Sequence, residues 1–185
     1  PMPWLPFGFP CRANGTPRSA GLAGYLQGRS ASLYLNGIVL ISAILNFQTA
    51  RFAPMNDAAY MLFLPTYTAD AWYHKKLPAD LQAKELAAVL AESRAFALEE
   101  YALALLKGNT LEPAARDAVV RKIARFTGLS PEFIVHSNLR IPLHRFVKEL
   151  LRSERRTIGR LDGRFKGFDL DAAGEAYEFD PANAV

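Results

Sequence analysis

The apolar positions of this chain recur mostly at helical spacing. Apolar residues three or four apart share one face of a helix, whereas a short solid apolar run marks a buried strand. In residues 16–27, Leu22, Tyr25 and Leu26 share such a face. Thr16 suits the cap, Pro17 the first turn and Gly28 the stop. Gly21 and Gly24 predict a close approach of a neighbouring backbone to this helix. Residues 32–45, SLYLNGIVLISAIL, give the one strong strand prediction. The run Ile38–Ile41 fits a strand buried on both faces, as in a parallel sheet. A helix followed by such a strand is half of a βαβ unit, and no preceding strand is legible. Residues 1–15 carry Pro1, Pro3, Pro6 and Pro10 and read as an irregular tail.

From residue 56 the pattern predicts helices throughout. Asn56 and Asp57 cap one that runs through AAYMLFL until Pro65 interrupts it, and TYTADAWYHKK forms the next, before Pro78. Asp80 caps a long helix over Leu81–Lys107, in which Leu86, Val89, Leu90, Phe96, Tyr101 and Leu105 recur, and Gly108 ends it. Residues 113–126 turn Val119, Val120 and Ile123 inward, with Gly128 as stop. Ser130, Pro131 and Glu132 open a helix over residues 131–136, and another covers residues 141–152. Beyond Thr157 the chain is glycine-rich, and residues 169–185 read as a loose acidic terminus.

Composition changes this picture little. The chain has 185 residues, half of them apolar and 22% charged, which is ordinary for a globular domain. A net charge of +4 is too small to imply a nucleic-acid partner by itself. The single cysteine, Cys11, excludes an internal disulfide and a cysteine-rich metal site. No apolar stretch is long enough to cross a membrane, and no signal peptide is read.

Several segments carry a family resemblance: GTPRSAGLAGYLQ, LYLNGIVLISAILNFQT, NDAAYMLFLPTYTADAWYHKKLP, SNLRI with RFVKELLR, and RRTIGRLDGRF. On these the chain resembles the bacterial serine carboxypeptidases, which are α/β-hydrolases. The resemblance implies a mainly α fold: the helical cap segment of an α/β-hydrolase, with about one core strand and an incomplete sheet. Residues 16–50 would be the remnant of the hydrolase core, 51–168 the helical cap, and the whole an internal segment of the family's length. In that family a strand–turn–helix elbow reads Gly-Glu-Ser-Tyr-Gly, and its strained turn presents the nucleophile. Here only Gly15 matches. Cys11 stands at the first glycine, Arg12 at the glutamate, Ala13 at the serine, and Asn14 at the tyrosine, the oxyanion position. Alanine has no nucleophilic atom, so no acyl-enzyme forms at residue 13. The family's aspartate and histidine follow the helical insertion, and the chain ends near that point. The resemblance thus implies serine-type carboxypeptidase activity on peptides in full-length relatives, without cofactor or metal, and an inactive chain here.

No substitute triad is read. His74, His136 and His144 lack the spacing of a zinc helix motif and read as surface or partly packed residues. Cys11 has no identifiable base, and Ser130 is accounted for as a cap. Glu99 and Glu100 diverge around a helix and read as a solvated face. A substrate pocket in relatives would draw on Asn46, past the strand's C-terminal end, and on Asn56, Asp57, Tyr60, Tyr67, Trp72 and Tyr73. The competing reading makes these aromatics core and the two polar residues caps, and the chain a non-enzymatic helical module that binds peptide or protein. A second alternative rests on Arg140, Arg145, Lys148, Arg152, Arg155, Arg156, Arg160, Arg164 and Lys166, which outnumber Glu149, Glu154 and Asp162. Such a cluster attracts phosphate backbones, but it lacks interleaved aromatics. Salt bridges to Asp169, Asp171, Glu175, Glu178 and Asp180 account for it at less cost. Finally, a lone strand leaves its ladder groups unpaired, which predicts pairing with the tail or with another copy.

Overall fold

The computed structural model describes residues 10–11, 16–28, 36–37, 39–40, 44–172 and 180–184. Ala13 and Asn14 lie outside them. The chain divides into two compact units, Pro1–Phe47 and Gln48–Val185.

In the first unit, β1 (Pro10–Cys11) and β2 (Val39–Leu40) pair in parallel, Pro10 with Val39 and Cys11 with Leu40. Between them runs helix α1 (Thr16–Gly28). Two parallel strands joined through a helix form a βαβ connection. The strand is therefore not isolated, and residues 10–11 are not an irregular tail. The expected tight packing of α1 is also absent: a Cβ at Gly21 or Gly24 would meet nothing within 4 Å among the described residues. Leu22 and Tyr25 are exposed.

The second unit is mainly helical. Seven α-helices run from Ala58 to Glu149: α2 (Ala58–Tyr73), α3 (Ala79–Gln82), α4 (Leu86–Phe96), α5 (Ala102–Lys107), α6 (Pro113–Thr127), α7 (Pro131–His136) and α8 (Leu143–Glu149). A two-stranded antiparallel hairpin, β3 (Thr157–Ile158) with β4 (Lys166–Gly167), follows. That hairpin lies in the glycine-rich stretch that gave no strand signal. Each strand is only two residues long, too short for an alternation to register.

Helix α2 is the centre of this unit. It packs against α4, α6 and the π turn Ala97–Tyr101. Its residues Ala59, Leu64, Tyr67, Thr68 and Ala71 are almost wholly inaccessible. Contrary to the sequence expectation, Pro65 does not divide it. An interior proline costs roughly 3 kcal/mol in an isolated helix. Burying a single large apolar side chain returns about 1.5–3 kcal/mol, and α2 buries several. Tyr67 stacks on Phe146 of α8 with ring centroids 4.0 Å apart. Thr68 donates to the Leu64 carbonyl and shares a 2.7 Å hydrogen bond with Ser93 of α4.

The predicted long helix over Leu81–Lys107 is also corrected. It breaks at residues 83–85 and widens into the π turn, where the Ala102 amide donates to the Ala97 carbonyl five residues back. The break is tied to the end of α2. Trp72 Nε1 donates to the Lys84 carbonyl, and Gln82 Nε2 donates to the Trp72 carbonyl. Asp80 caps nothing, because Pro78 holds the N-cap of α3. Instead Asp80 pairs with Arg125 of α6, which holds its carboxyl below the usual range.

Helices α6 and α7 follow the sequence closely. Val119, Val120 and Ile123 are buried, and Gly128 ends α6 in the left-handed region at φ 70°. A Cβ at Gly128 would also lie 2.8 Å from the Lys76 carbonyl, so conformation and space both require glycine. Ser130 accepts a hydrogen bond from the Phe133 amide, as an N-cap does.

Candidate functional site

The two ends of α2 hold the polar constellations nearest to the expected pocket. At its N-terminal end, Asp57 and Asn56 are not side-chain caps. Asp57 accepts a two-pronged pair from Arg140, Nε to Oδ1 at 2.7 Å and Nη2 to Oδ2 at 2.8 Å. The Asp57 hydrogen bonds hold the guanidinium above its ordinary range. Arg140 also donates to the Leu105 carbonyl. Asn56 Nδ2 donates to the carbonyls of Gln48 and Arg51, clamping the approach to α2. Tyr60 is buried against Phe52, edge to face, and burial raises its phenol.

The loop that supplies Arg140 is fixed from below by two tyrosines. Tyr67 donates to the Ile141 carbonyl at 3.1 Å and Tyr101 to the Leu139 carbonyl. Burial raises both phenols, Tyr67 well above its ordinary value. Asn138 and Leu139 both take left-handed backbone angles, φ 50° and 62°. Asparagine visits that region readily, whereas leucine there is strained. Leu139 is buried, so the strain is set against the packing of its side chain.

At the C-terminal end of α2, Asp70 and His74 stand four residues apart and share a face. His74 Nε2 lies 2.7 Å from the Gly163 carbonyl. A carbonyl only accepts, so Nε2 carries the proton. Asp70 is packed under Gly163, where a Cβ would overlap its carboxyl oxygens. Burial, then the charge of Asp162, pushes the Asp70 carboxyl up to about 7. Asp162 behaves oppositely, because the Arg164 fork pulls it down to about 2. Asp70 is therefore a group that exchanges its proton near neutrality.

A third feature lies on the flank of α2. Met61, Leu62, Pro65, Thr66, Arg94, Ala97 and Leu98 line a groove of about 310 Å3 between α2, α4 and the π turn. Proline has no N–H, so the Met61 carbonyl lacks the donor that residue 65 would otherwise supply. Arg94 has no ion-pair partner among the described residues. π turns are often found at functional positions.

The expected pocket residues do not converge. Asn56 and Asp57 stand at the entry to α2 and Tyr60 in its first turn, whereas Tyr67 lies past its middle and is core. Tyr73 is half exposed at the other end, against His74. At 1.5 Å per residue that is about 20 Å from Tyr60. Trp72 is spent on the Lys84 carbonyl. Asn46 is exposed and belongs to the first unit. His136 and His144 are exposed. Glu100 pairs with Lys122.

The basic segment of residues 140–166 is threaded with partners. Besides Arg140 with Asp57, Lys148 pairs with Asp169 at 3.0 Å, both side chains buried. Arg152 pairs with Glu149, Arg164 with Asp162, and Arg156 lies over the Phe168 ring. The C-terminal acids are accordingly not loose where described. Asp169 is buried, and Asp180 accepts from the Arg160 and Ala182 amides.

Asp70, Gly163 and Arg94 carry no site prediction from sequence, and Arg140 figures there only in the basic cluster. The Asp70–His74 spacing was a legible signal. The groove was not, because it depends on how α4 lies beside α2. Comparison with protein-family models, curated proteins and solved structures returns no match for this chain.

Proposed function

We propose that this chain is a catalytically inactive, helical peptide-binding module of the serine carboxypeptidase type. The groove on α2 is the observation that carries the binding half of this reading. Its apolar wall of Met61, Leu62, Pro65 and Leu98 suits an aliphatic side chain. Arg94 suits a carboxylate, and the Met61 carbonyl suits an amide N–H. The apolar C-terminal residue of a peptide brings an aliphatic side chain, a carboxylate and an amide N–H together. The inactive half rests on Ala13 at the nucleophile position of the resemblance.

Two measurements on the full chain test this reading. A fluorophosphonate probe should label nothing, and blocked dipeptides should keep their C-terminal residue. Labelling or release would overturn the inactive half. In NMR titration, N-acetyl-Ala-Leu should shift the amides of residues 61–66 and 94–98. The C-terminal amide of that dipeptide, or the variant Arg94→Gln, should bind at least about tenfold more weakly. Equal binding of acid and amide would remove the assigned role of Arg94, and no shift would remove the groove.

A further inference from the structure

We propose that the turn carrying Asp162 and Gly163 is a pH-sensitive latch on the C-terminal end of α2, held most firmly while Asp70 is protonated and loosened when Asp70 is charged.

The argument is geometric first. Gly163, in the turn between β3 and β4, meets α2 in two ways. The Gly163 carbonyl accepts from His74, and the Gly163 Cα sits on the Asp70 carboxyl. No side chain fits between them, and Asp70 is partly buried beneath the turn. A charge there loses hydration, and nothing on the facing turn returns it. Of the two cations of that turn, Arg160 pairs with Asp180, and Arg164 is committed to Asp162 through both prongs of its guanidinium and through its own amide. What Asp70 meets across the contact is therefore a second carboxylate.

Other titratable and charged groups surround the contact. Tyr73 and His74 flank Asp70 on α2. Lys76 and Lys166 both pair with Glu154, and His74 lies near enough to act on that carboxylate. Arg160 is tied to Asp180, which fixes the start of the turn independently of α2. Asp162 keeps its charge across the physiological range because Arg164 holds its carboxyl low. Asp70 is thus the carboxyl at the contact whose charge changes near neutrality.

The sign follows from proton binding. The closed latch raises the Asp70 carboxyl, so the closed form binds more protons than the open one. Closure is strongest in acid, weakens as pH rises toward 7, and is constant above that. His74 is the competing explanation, since it makes the other contact with the turn.

Amide hydrogen exchange on the full chain decides between them. The Gly159, Arg164 and Phe165 amides bond within the turn itself, to Phe165, Asp162 and Asp162 respectively, so they report the order of the turn, and the Asp70 and His74 variants test whether the contact with α2 sets it. After correction for intrinsic exchange rates, their protection should fall at least tenfold from pH 5 to pH 8. In Asp70→Asn the fall should vanish and protection at pH 8 should match that at pH 5. In His74→Gln, which retains a donor for the Gly163 carbonyl, the fall should persist. Protection independent of pH in the unaltered chain would overturn the latch. So would a fall that survives Asp70→Asn, or one that disappears in His74→Gln alone.

Discussion

Asp70 shows how one side chain acquires a property that its type does not have. Aspartate in water loses its proton near pH 4. Here burial under Gly163 and the charge of Asp162 hold the proton on up to about pH 7. A carboxyl raised on folding favours the folded state in acid, and that advantage is lost as pH climbs from the unfolded value to the folded one. At pH 8 the native chain therefore carries a penalty on the order of 2–4 kcal/mol at this residue. Replacing it with the neutral isostere removes the penalty. Urea unfolding of Asp70→Asn should show higher stability than the unaltered chain at pH 8, with the difference shrinking toward pH 4. A variant less stable at pH 8 would show that the Asp70 charge is compensated.

At the scale of elements, α2 and the loop after α7 depend on each other. The helix survives Pro65 because its buried face is held by α4, α6 and α8. The loop survives two successive left-handed residues because Tyr67 and Tyr101 bond its carbonyls. Removing one hydroxyl leaves a buried carbonyl without its donor, at a cost of about 1–3 kcal/mol. Tyr101→Phe should lower stability by that amount while the helical circular dichroism stays unchanged. Tyr101→Phe with stability equal to the parent would mean that water replaces the hydroxyl at Leu139. The π turn belongs to the same system, since its last residue, Tyr101, makes this bond. Helix α6 is different. Its apolar stripe and its proline and glycine bounds are local, and it forms where local rules place it.

For the whole molecule, the division at Phe47 and Gln48 is the consequential fact. The second unit holds the continuous apolar core from Tyr60 to Ile158. It also contains the described Lys148–Asp169 pair that anchors its C-terminal segment. A chain of residues 48–185 should therefore fold alone, with cooperative thermal unfolding and the same helical signal per residue. A truncated chain that unfolds without a cooperative transition would show that the core needs residues 1–47. The groove on α2 and the Asp70 contact both lie within this second unit, so both experiments above can be repeated on the truncated chain once it is shown to fold.

Much of the helical organisation was legible because it follows from local chemistry. Ser130, Pro131 and Gly128 place their helix ends through backbone hydrogen bonding and φ preference, and Val119, Val120 and Ile123 turn inward by period alone. Where partners distant in sequence intervene, the local reading fails. Pro65 ought to break a helix, and tertiary burial keeps it intact. Asp57 and Asp80 ought to cap, and arginines from the loop after α7 and from α6 take them instead. The residues 83–85 break comes from Trp72 and Gln82 crossing between elements. The sequence alone determined that residues 56–149 are helical and that residue 13 has no nucleophile. Only the tertiary structure decided which charges meet, which carboxyl is buried and which apolar residues line a groove, because those depend on distances between segments far apart in the chain.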